Sequence, residues 1–210
     1  MIATPYPVSF DLPQSKTPRS PGTHVSGIIR CVATEAGILR VTEVEEVSLT
    51  DVRVISDPVA ITRICMGLAW EEWYIPNILE PQQGVVDHPG EMKLEGVYMT
   101  HDGESVSMVL SDGKEFYTLV IHEVKVTYKS TKTVADVSGE WMWLAQIKSY
   151  CKAAGTRHAR LHVLFVCGDY TYPIKPILAC WDLEFTQQEL DDNWDMLKQY
   201  RDEKLGAQVA

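Results

Sequence analysis

Glu123-Val124-Lys125 closes a strand-like run from Phe116 to Lys125, and Gln146 and Tyr150 follow on a helix-like segment that begins about Ser138. Residues two apart on a strand project from the same face, so Glu123 and Lys125 stand side by side. Residues four apart on a helix share a face, which lets Gln146 and Tyr150 point together. A carboxylate beside an ammonium suits a centre that holds a divalent cation and an attacking water. Taken alone, E-x-K on a strand also occurs by chance, so the elements around it decide its meaning.

Those elements follow from periodicity and punctuation. Val25, Ile28, Ile29, Val32, Ala33 and Ala36 have helical spacing, which predicts a helix over 25–39 capped by Thr23 or Ser26. An acidic connector over 42–51 follows. Asp57-Pro58, a capping residue before a first-position proline, opens a second helix that Pro76 should end. Three strands are predicted at 92–99, 105–110 and 116–125. Asp102-Gly103 and Asp112-Gly113 read as the turns between them, so the three should form an antiparallel meander. A helix over 138–154, capped by Ser138 and stopped by Gly155, leads to a buried strand at 159–166 and another at 180–184. Thr186-Gln-Gln-Glu189 is a capping box opening a last helix to about Lys204, with Leu190, Trp194, Leu197 and Tyr200 as inward positions. The sum is an α/β domain with a central mixed sheet flanked by helices.

Residues 1–22 contain Pro5, Pro7, Pro13, Pro18 and Pro21 and read as a flexible arm; residues 23–210 read as one domain, long enough to bury a full core. No run is apolar enough to span a membrane and no secretory signal pattern opens the chain, which predicts a cytosolic protein. Five cysteines, Cys31, Cys65, Cys151, Cys167 and Cys180, are an odd number without C-x-x-C spacing and read as reduced, mostly buried thiols.

The net charge of -10 argues against non-specific coating of nucleic acid. The distribution is uneven, however. Residues 125–160 carry seven Lys/Arg against two acids, and residues 182–203 carry eight acids against Lys198 and Arg201. Lys129, Lys132, Lys148 and Lys152 are therefore candidate phosphate contacts flanking the site, with the acidic last helix expected to point elsewhere. A solvated face of mixed charge would give the same counts.

Four elements in this order resemble the PD-(D/E)XK nuclease superfamily, in the branch of phage lambda exonuclease and RecB-type nuclease domains. They are Gly67-Leu-Ala-Trp-Glu71, Leu94-Glu95-Gly96-Val97, Glu123-Val-Lys125 and Gln146-x-x-x-Tyr150, and the resemblance covers about residues 26–201. It implies a restriction-endonuclease-like fold and Mg²⁺- or Mn²⁺-dependent hydrolysis of DNA phosphodiester bonds, as by a phage-type exonuclease in recombination or replication. An endonuclease would use the same centre, and a descendant that binds nucleic acid or a protein without cutting is the alternative. The implied metal ligands are Glu71, Glu95, Glu123 and the main-chain carbonyl of Val124. The implied catalytic set is Glu95, Glu123, Lys125, Gln146 and Tyr150, with Lys125 serving the reaction and not the fold. The implied partners are DNA, a recombinase or single-strand-binding protein, and further copies of the chain, without a membrane.

One departure stands out. The second element carries Glu95 where such nucleases usually show an aspartate before glycine. Asp87 and Asp102 are the nearby alternatives, ranked lower because Asp102 reads as a turn residue and Asp87 precedes the strand. His122 should point away from Glu123, and none of the other five histidines has metal-ligand spacing. An iron–sulfur cluster, which some relatives carry, is disfavoured because Cys151, Cys167 and Cys180 are too widely spaced.

Overall fold

A computed structural model describes residues 20–39, 49, 58–111 and 113–209. Nearly all of the proline-rich arm, the acidic connector, and the cap and turn assigned to Asp57 and Asp112 lie outside the described residues. A short β1 (Thr23–His24) leads into α1 (Val25–Glu35). The helix is one turn shorter than predicted, and His24 occupies its N-cap without a side-chain bond, so neither Thr23 nor Ser26 caps it.

Helix α2 (Pro58–Tyr74) ends just before Pro76, as expected, but the chain stays helical beyond it. Proline removes a hydrogen bond and crowds the carbonyl four residues back, and the chain answers with a wider π turn, Ile75–Leu79, in which the N–H of Glu80 reaches Ile75 O. One more turn, α3 (Glu80–Gln83), ends at Gly84 in the left-handed region.

The strands divide into two sheets. The predicted strand 92–99 is a hairpin: β3 (Met92–Leu94) and β4 (Val97–Met99) pair antiparallel, and β4 also pairs parallel to β1. Its turn is Glu95-Gly96, with φ of 45° and 84°, the left-handed pair that a two-residue hairpin loop requires.

The larger sheet has the order β2-β5-β6-β7-β8. Its three-stranded antiparallel part is β2 (Val86–Asp87), β5 (Gly103–Ser111) and β6 (Lys114–Thr127), so β2 takes the place expected for 92–99. Asp102-Gly103 is no hairpin turn. A Cβ on Gly103 would stand 2.6 Å from Val85 Cγ1, so glycine there lets β2 lie against β5. Helix α4 (Trp141–Ala154) crosses over to β7 (His158–Phe165), which runs parallel to β6, and β8 (Ile177–Glu184) closes the sheet antiparallel. A parallel pair needs such a crossover.

Gly155 stops α4 in the left-handed region as expected, but Ser138 belongs to a preceding 3₁₀ turn, where Asp136 accepts from its N–H. The last helix, α5 (Gln187–Val209), opens on the predicted capping box: Thr186 N donates to Glu189 Oε2 at 2.8 Å and Glu189 N to Thr186 Oγ1 at 3.1 Å.

The main core lies between one sheet face and α1, α4 and α5, with Leu190, Trp194 and Leu197 fully buried; Tyr200 packs at its margin. A smaller cluster, Tyr74, Ile75, Leu79, Val85 and Val124, fixes the end of α2 and the π turn to the other face. All five cysteines are free thiols; Cys151 alone is fully buried and Cys180 is exposed. Among the described residues no helix is long and apolar enough to cross a membrane.

Candidate active site

Strand β6 is paired by β5 only as far as Gly103 opposite His122. From Glu123 to Thr127 β7 still pairs one edge, and the other is open to groups from outside the ladder. Asp102, the residue before β5, takes the first open position: its Oδ2 accepts the Val124 N–H at 2.7 Å. A carboxylate thus stands where the next carbonyl of a longer β5 would have been.

Glu123 and Lys125 project from the main-core face, as the pleat requires. Glu123 is fully buried, and the Lys125 ammonium lies on its Oε1. Its second oxygen, Oε2, is buried and makes no hydrogen bond within the protein. Gln146, from α4, accepts from Lys125 Nζ at 3.3 Å and donates to the hydroxyl of Tyr150 one turn further on. Glu123, Lys125, Gln146 and Tyr150 are therefore brought together in one hydrogen-bonded chain.

Glu71, on α2, borders the same group. Its charge, with that of Glu123, raises Asp102, and it also raises Glu123 and Lys125. Its Oε1 accepts from His88 Nε2 at 2.9 Å, while His88 Nδ1 meets Asp87. His88 adopts φ of 46° beside β2 and donates its N–H to Asp102 O at 3.1 Å. The bond to Glu71 lifts the imidazole to about 9 against the cost of burial.

Glu95 is elsewhere. In the β3–β4 turn it is held by α5: Oε2 pairs with Lys198 at 2.6 Å, Oε1 accepts from Trp194 Nε1 at 3.3 Å, and its carbonyl accepts from Arg201 at 2.6 Å. Those bonds keep its carboxyl low. The structure does not bring Glu95 to Glu123; Asp102 is the acid that lies at the open edge beside it. In the sequence Asp102 is only a lower-ranked alternative, because Asp-Gly also makes turns. Asp87 is the other lower-ranked alternative, and His88 gave no sequence signal beyond its type.

The candidate phosphate contacts divide in two. Lys129 and Lys132 lie just past β6, paired with Glu140 and Asp169. Lys148 and Lys152 face α5, where they meet Glu189 at 3.5 Å and Asp191 at 2.5 Å. The acidic helix does not point elsewhere; it packs on the basic face of α4 and neutralises it.

Burial, then the charges of Glu123 and Glu71, push Asp102 well above its ordinary 3.8, and burial raises Glu123 against the pull of Lys125. For Lys125 burial alone would lower the ammonium, but Glu123, Asp102 and Glu71 outweigh it and the net shift is upward. Of these carboxylates, Glu123 alone touches the Lys125 ammonium, while Glu71 has the His88 imidazole as its partner. Among the described residues, no three His, Cys, Asp or Glu side chains stand together as an ion would need them.

The opposite sheet face carries a separate buried chain. His122 points away from Glu123 as expected, with Nε2 at 2.9 Å from Ser105 Oγ and Nδ1 at 3.1 Å from His162 Nε2. The other nitrogen of His162 faces Tyr74 OH and Cys180 Sγ, each at 3.2 Å. Burial holds His122 down to about 3 and His162 to about 4.

The two clusters titrate with opposite sign. Unfolded imidazoles take up protons near 6.5 that the folded pair refuses, so this pair costs stability as pH falls from 6.5 toward about 4. The folded state keeps protons on Asp102 and Glu123 that the unfolded chain has already released, so their contribution is lost as pH rises above the ordinary carboxylate range. Removing the Asp102 charge should unmask the histidines. Urea unfolding of Asp102→Asn should lose stability between about pH 6.5 and 4.5 more steeply than the wild type, by up to ~1.4 kcal/mol per pH unit. Equal slopes would show that Asp102 does not take up a proton in the fold.

No protein family matches this chain, and no curated protein does. Among solved structures, it is similar to an alkaline exonuclease (LHK-Exo) from Laribacter hongkongensis, with TM-score 0.48 and 10% identity over 90% of this chain and 95% of that one. The crystal structure of SSO0001 gives TM-score 0.43 and 12% identity over 87% of this chain and 78% of that one.

Proposed function

We propose that the open edge of β6 is the centre of a metal-dependent deoxyribonuclease, with exonuclease action as the form the sequence resemblance favours. The observation that carries the reading is the buried Glu123 carboxylate, with Oε1 on Lys125 and Oε2 left without a partner, on which the charge of Glu71 also acts. A divalent cation relieves such crowding and takes oxygen donors. Asp102, Glu123 and the Val124 carbonyl would hold it, joined by Glu71 once turned from His88. When bound, Mg²⁺ or Mn²⁺ supplies positive charge to the phosphoryl oxygens and lowers the pKa of a water.

The chain's own groups do the rest. Lys125, held by Gln146 and raised by its carboxylate neighbours, stays charged and can orient the attacking water and stabilise the developing negative charge. Tyr150 keeps Gln146 on Lys125. Lys129 and Lys132, both exposed beyond β6, are the better placed phosphate contacts; Lys148 and Lys152 would first have to leave α5.

The lack of three preassembled ligands among the described residues favours a second reading, a nuclease-like protein that binds DNA without cutting. One experiment separates the two. End-labelled linear DNA and closed circular DNA are incubated with Mg²⁺, Mn²⁺ or chelator. Loss of label from linear DNA alone, only with metal, is the expected result. Melting temperature should also rise on adding Mn²⁺ to the wild type and hardly change for Glu123→Ala. A protein that cuts no DNA and melts alike with and without metal would retire the nuclease reading.

A further inference from the structure

Helix α2, strand β6 and helix α4 all lead away from the carboxylate cluster toward one end of the molecule. On α2 the path runs from Glu71 to Met66 and Arg63, on β6 from Lys125 to Tyr128 and Lys129, and on α4 from Gln146 to Trp143. These ends meet. The Arg63 guanidinium lies 5.1 Å over the Tyr128 ring, and Tyr128 donates its hydroxyl to Met66 Sδ at 2.7 Å. Lys129 Nζ lies 5.5 Å from the centre of Trp143.

The β7–β8 loop docks on the same place. Tyr170 donates its hydroxyl to the Tyr128 carbonyl, Thr131 N donates to Gly168 O at 3.0 Å, and Lys132 pairs with Asp169. Tyr170 itself stays 55% exposed, and beyond these anchors the loop presents Tyr172 at 91% and Ile174 at 55%, followed by exposed Lys175. Such large apolar side chains facing water at one loop tip call for an occupant.

We infer that this end of β6 is a stacking platform for a single-stranded DNA tail that leads into the cluster. The inference rests on the nuclease reading of that cluster and names the form of substrate it takes. Aromatic rings interleaved with cations are what successive unpaired bases and their phosphates need. Arg63, Lys129, Lys132 and Lys175 outnumber Asp136, Glu140 and Asp169 by one, so the local charge suits a polyanion although the whole chain is acidic. A duplex interior offers no free base face to a protruding ring, whereas a single strand does. From Arg63 to Glu71 the helix spans about 12 Å, which corresponds to three or four stacked nucleotides at about 3.4 Å each.

Fluorescence anisotropy of a dye-labelled oligothymidylate of about twelve nucleotides, in excess chelator so that nothing is cut, tests this. The wild type should bind the oligomer more tightly than a blunt duplex of equal length. Tyr172→Ala, at a side chain with no packing role, should weaken oligomer binding by about 5- to 150-fold with an unchanged melting temperature. Tyr172→Phe should stay within about twofold of the wild type. Oligomer binding untouched by Tyr172→Ala, or a wild type that prefers the duplex, would overturn the platform. A wild type that binds the oligomer through Tyr172 yet cuts no DNA with any metal would sink the nuclease reading and leave the platform standing. Cleavage with Tyr172 irrelevant to binding would do the reverse.

Discussion

Asp102→Asn should melt higher than the wild type in chelator and should have lost DNA cleavage. Asparagine keeps an oxygen that can accept the Val124 N–H, so the open edge of β6 stays satisfied. It removes a charge that burial and the neighbouring Glu123 and Glu71 all oppose. Each 1 kcal/mol so relieved should appear as about 2–4 °C in a chain of this size. The same change takes away an anionic donor that a hard cation needs, so the rise in melting temperature with Mn²⁺ should shrink as well. Gain of stability with loss of function is the mark of a site held at a cost to the fold. Calorimetry in chelator and in Mn²⁺, beside cleavage of end-labelled DNA, reads both. An Asp102→Asn protein that melts lower in chelator, or cuts at the wild-type rate, would exclude Asp102 from the centre.

The second large effect concerns Lys125. Lys125→Met retains the aliphatic stem and deletes the ammonium, and cleavage should fall by about a hundredfold or more, the scale for one preorganised electrostatic group. The buried ion pair with Glu123 gives this lysine a part in the fold beside the one expected in the reaction. Glu123 is fully buried against the ammonium, and a buried carboxylate stripped of its partner costs about 3–5 kcal/mol. Lys125→Met should therefore be less stable at neutral pH and regain stability on mild acidification, when Glu123 takes a proton. Mn²⁺ should also restore part of the loss by replacing the missing positive charge. Wild-type cleavage by this variant would remove Lys125 from the reaction. A melting temperature unchanged at every pH would show that Glu123 does not depend on it.

How much of this was legible beforehand depends on whether the information is local. Glu123, Lys125, Gln146 and Tyr150 could be placed because strand and helix periods fix which residues share a face. The capping box at Thr186 and the stop at Gly155 are equally local and were found as predicted. Glu95 was misplaced because two dipeptides of the same kind, Glu95-Gly96 and Asp102-Gly103, lie seven residues apart. One makes a turn and the other a close strand contact. Their difference is tertiary: Val85 packs against Gly103, and Lys198 and Arg201 reach back from α5 to Glu95. The neutralising of Lys148 and Lys152 by Glu189 and Asp191 is of the same sort, since nothing along the chain says that two oppositely charged helices must lie together.

The π turn after α2 sets a phase relation. A helix that closes one ring on the fifth residue back carries an extra residue relative to its pitch, much as a gear carries an extra tooth. Glu71 lies before that ring, Leu79 is its last residue, and the Gly84 stop lies after it. The rotation between the carboxylate and the anchor that docks the helix end on the sheet is therefore counted in residues. A change of side chain between them leaves the count intact, whereas a change of length by one residue turns Glu71 by about 100° about the helix axis. The segment should accordingly tolerate drift in sequence far better than drift in length.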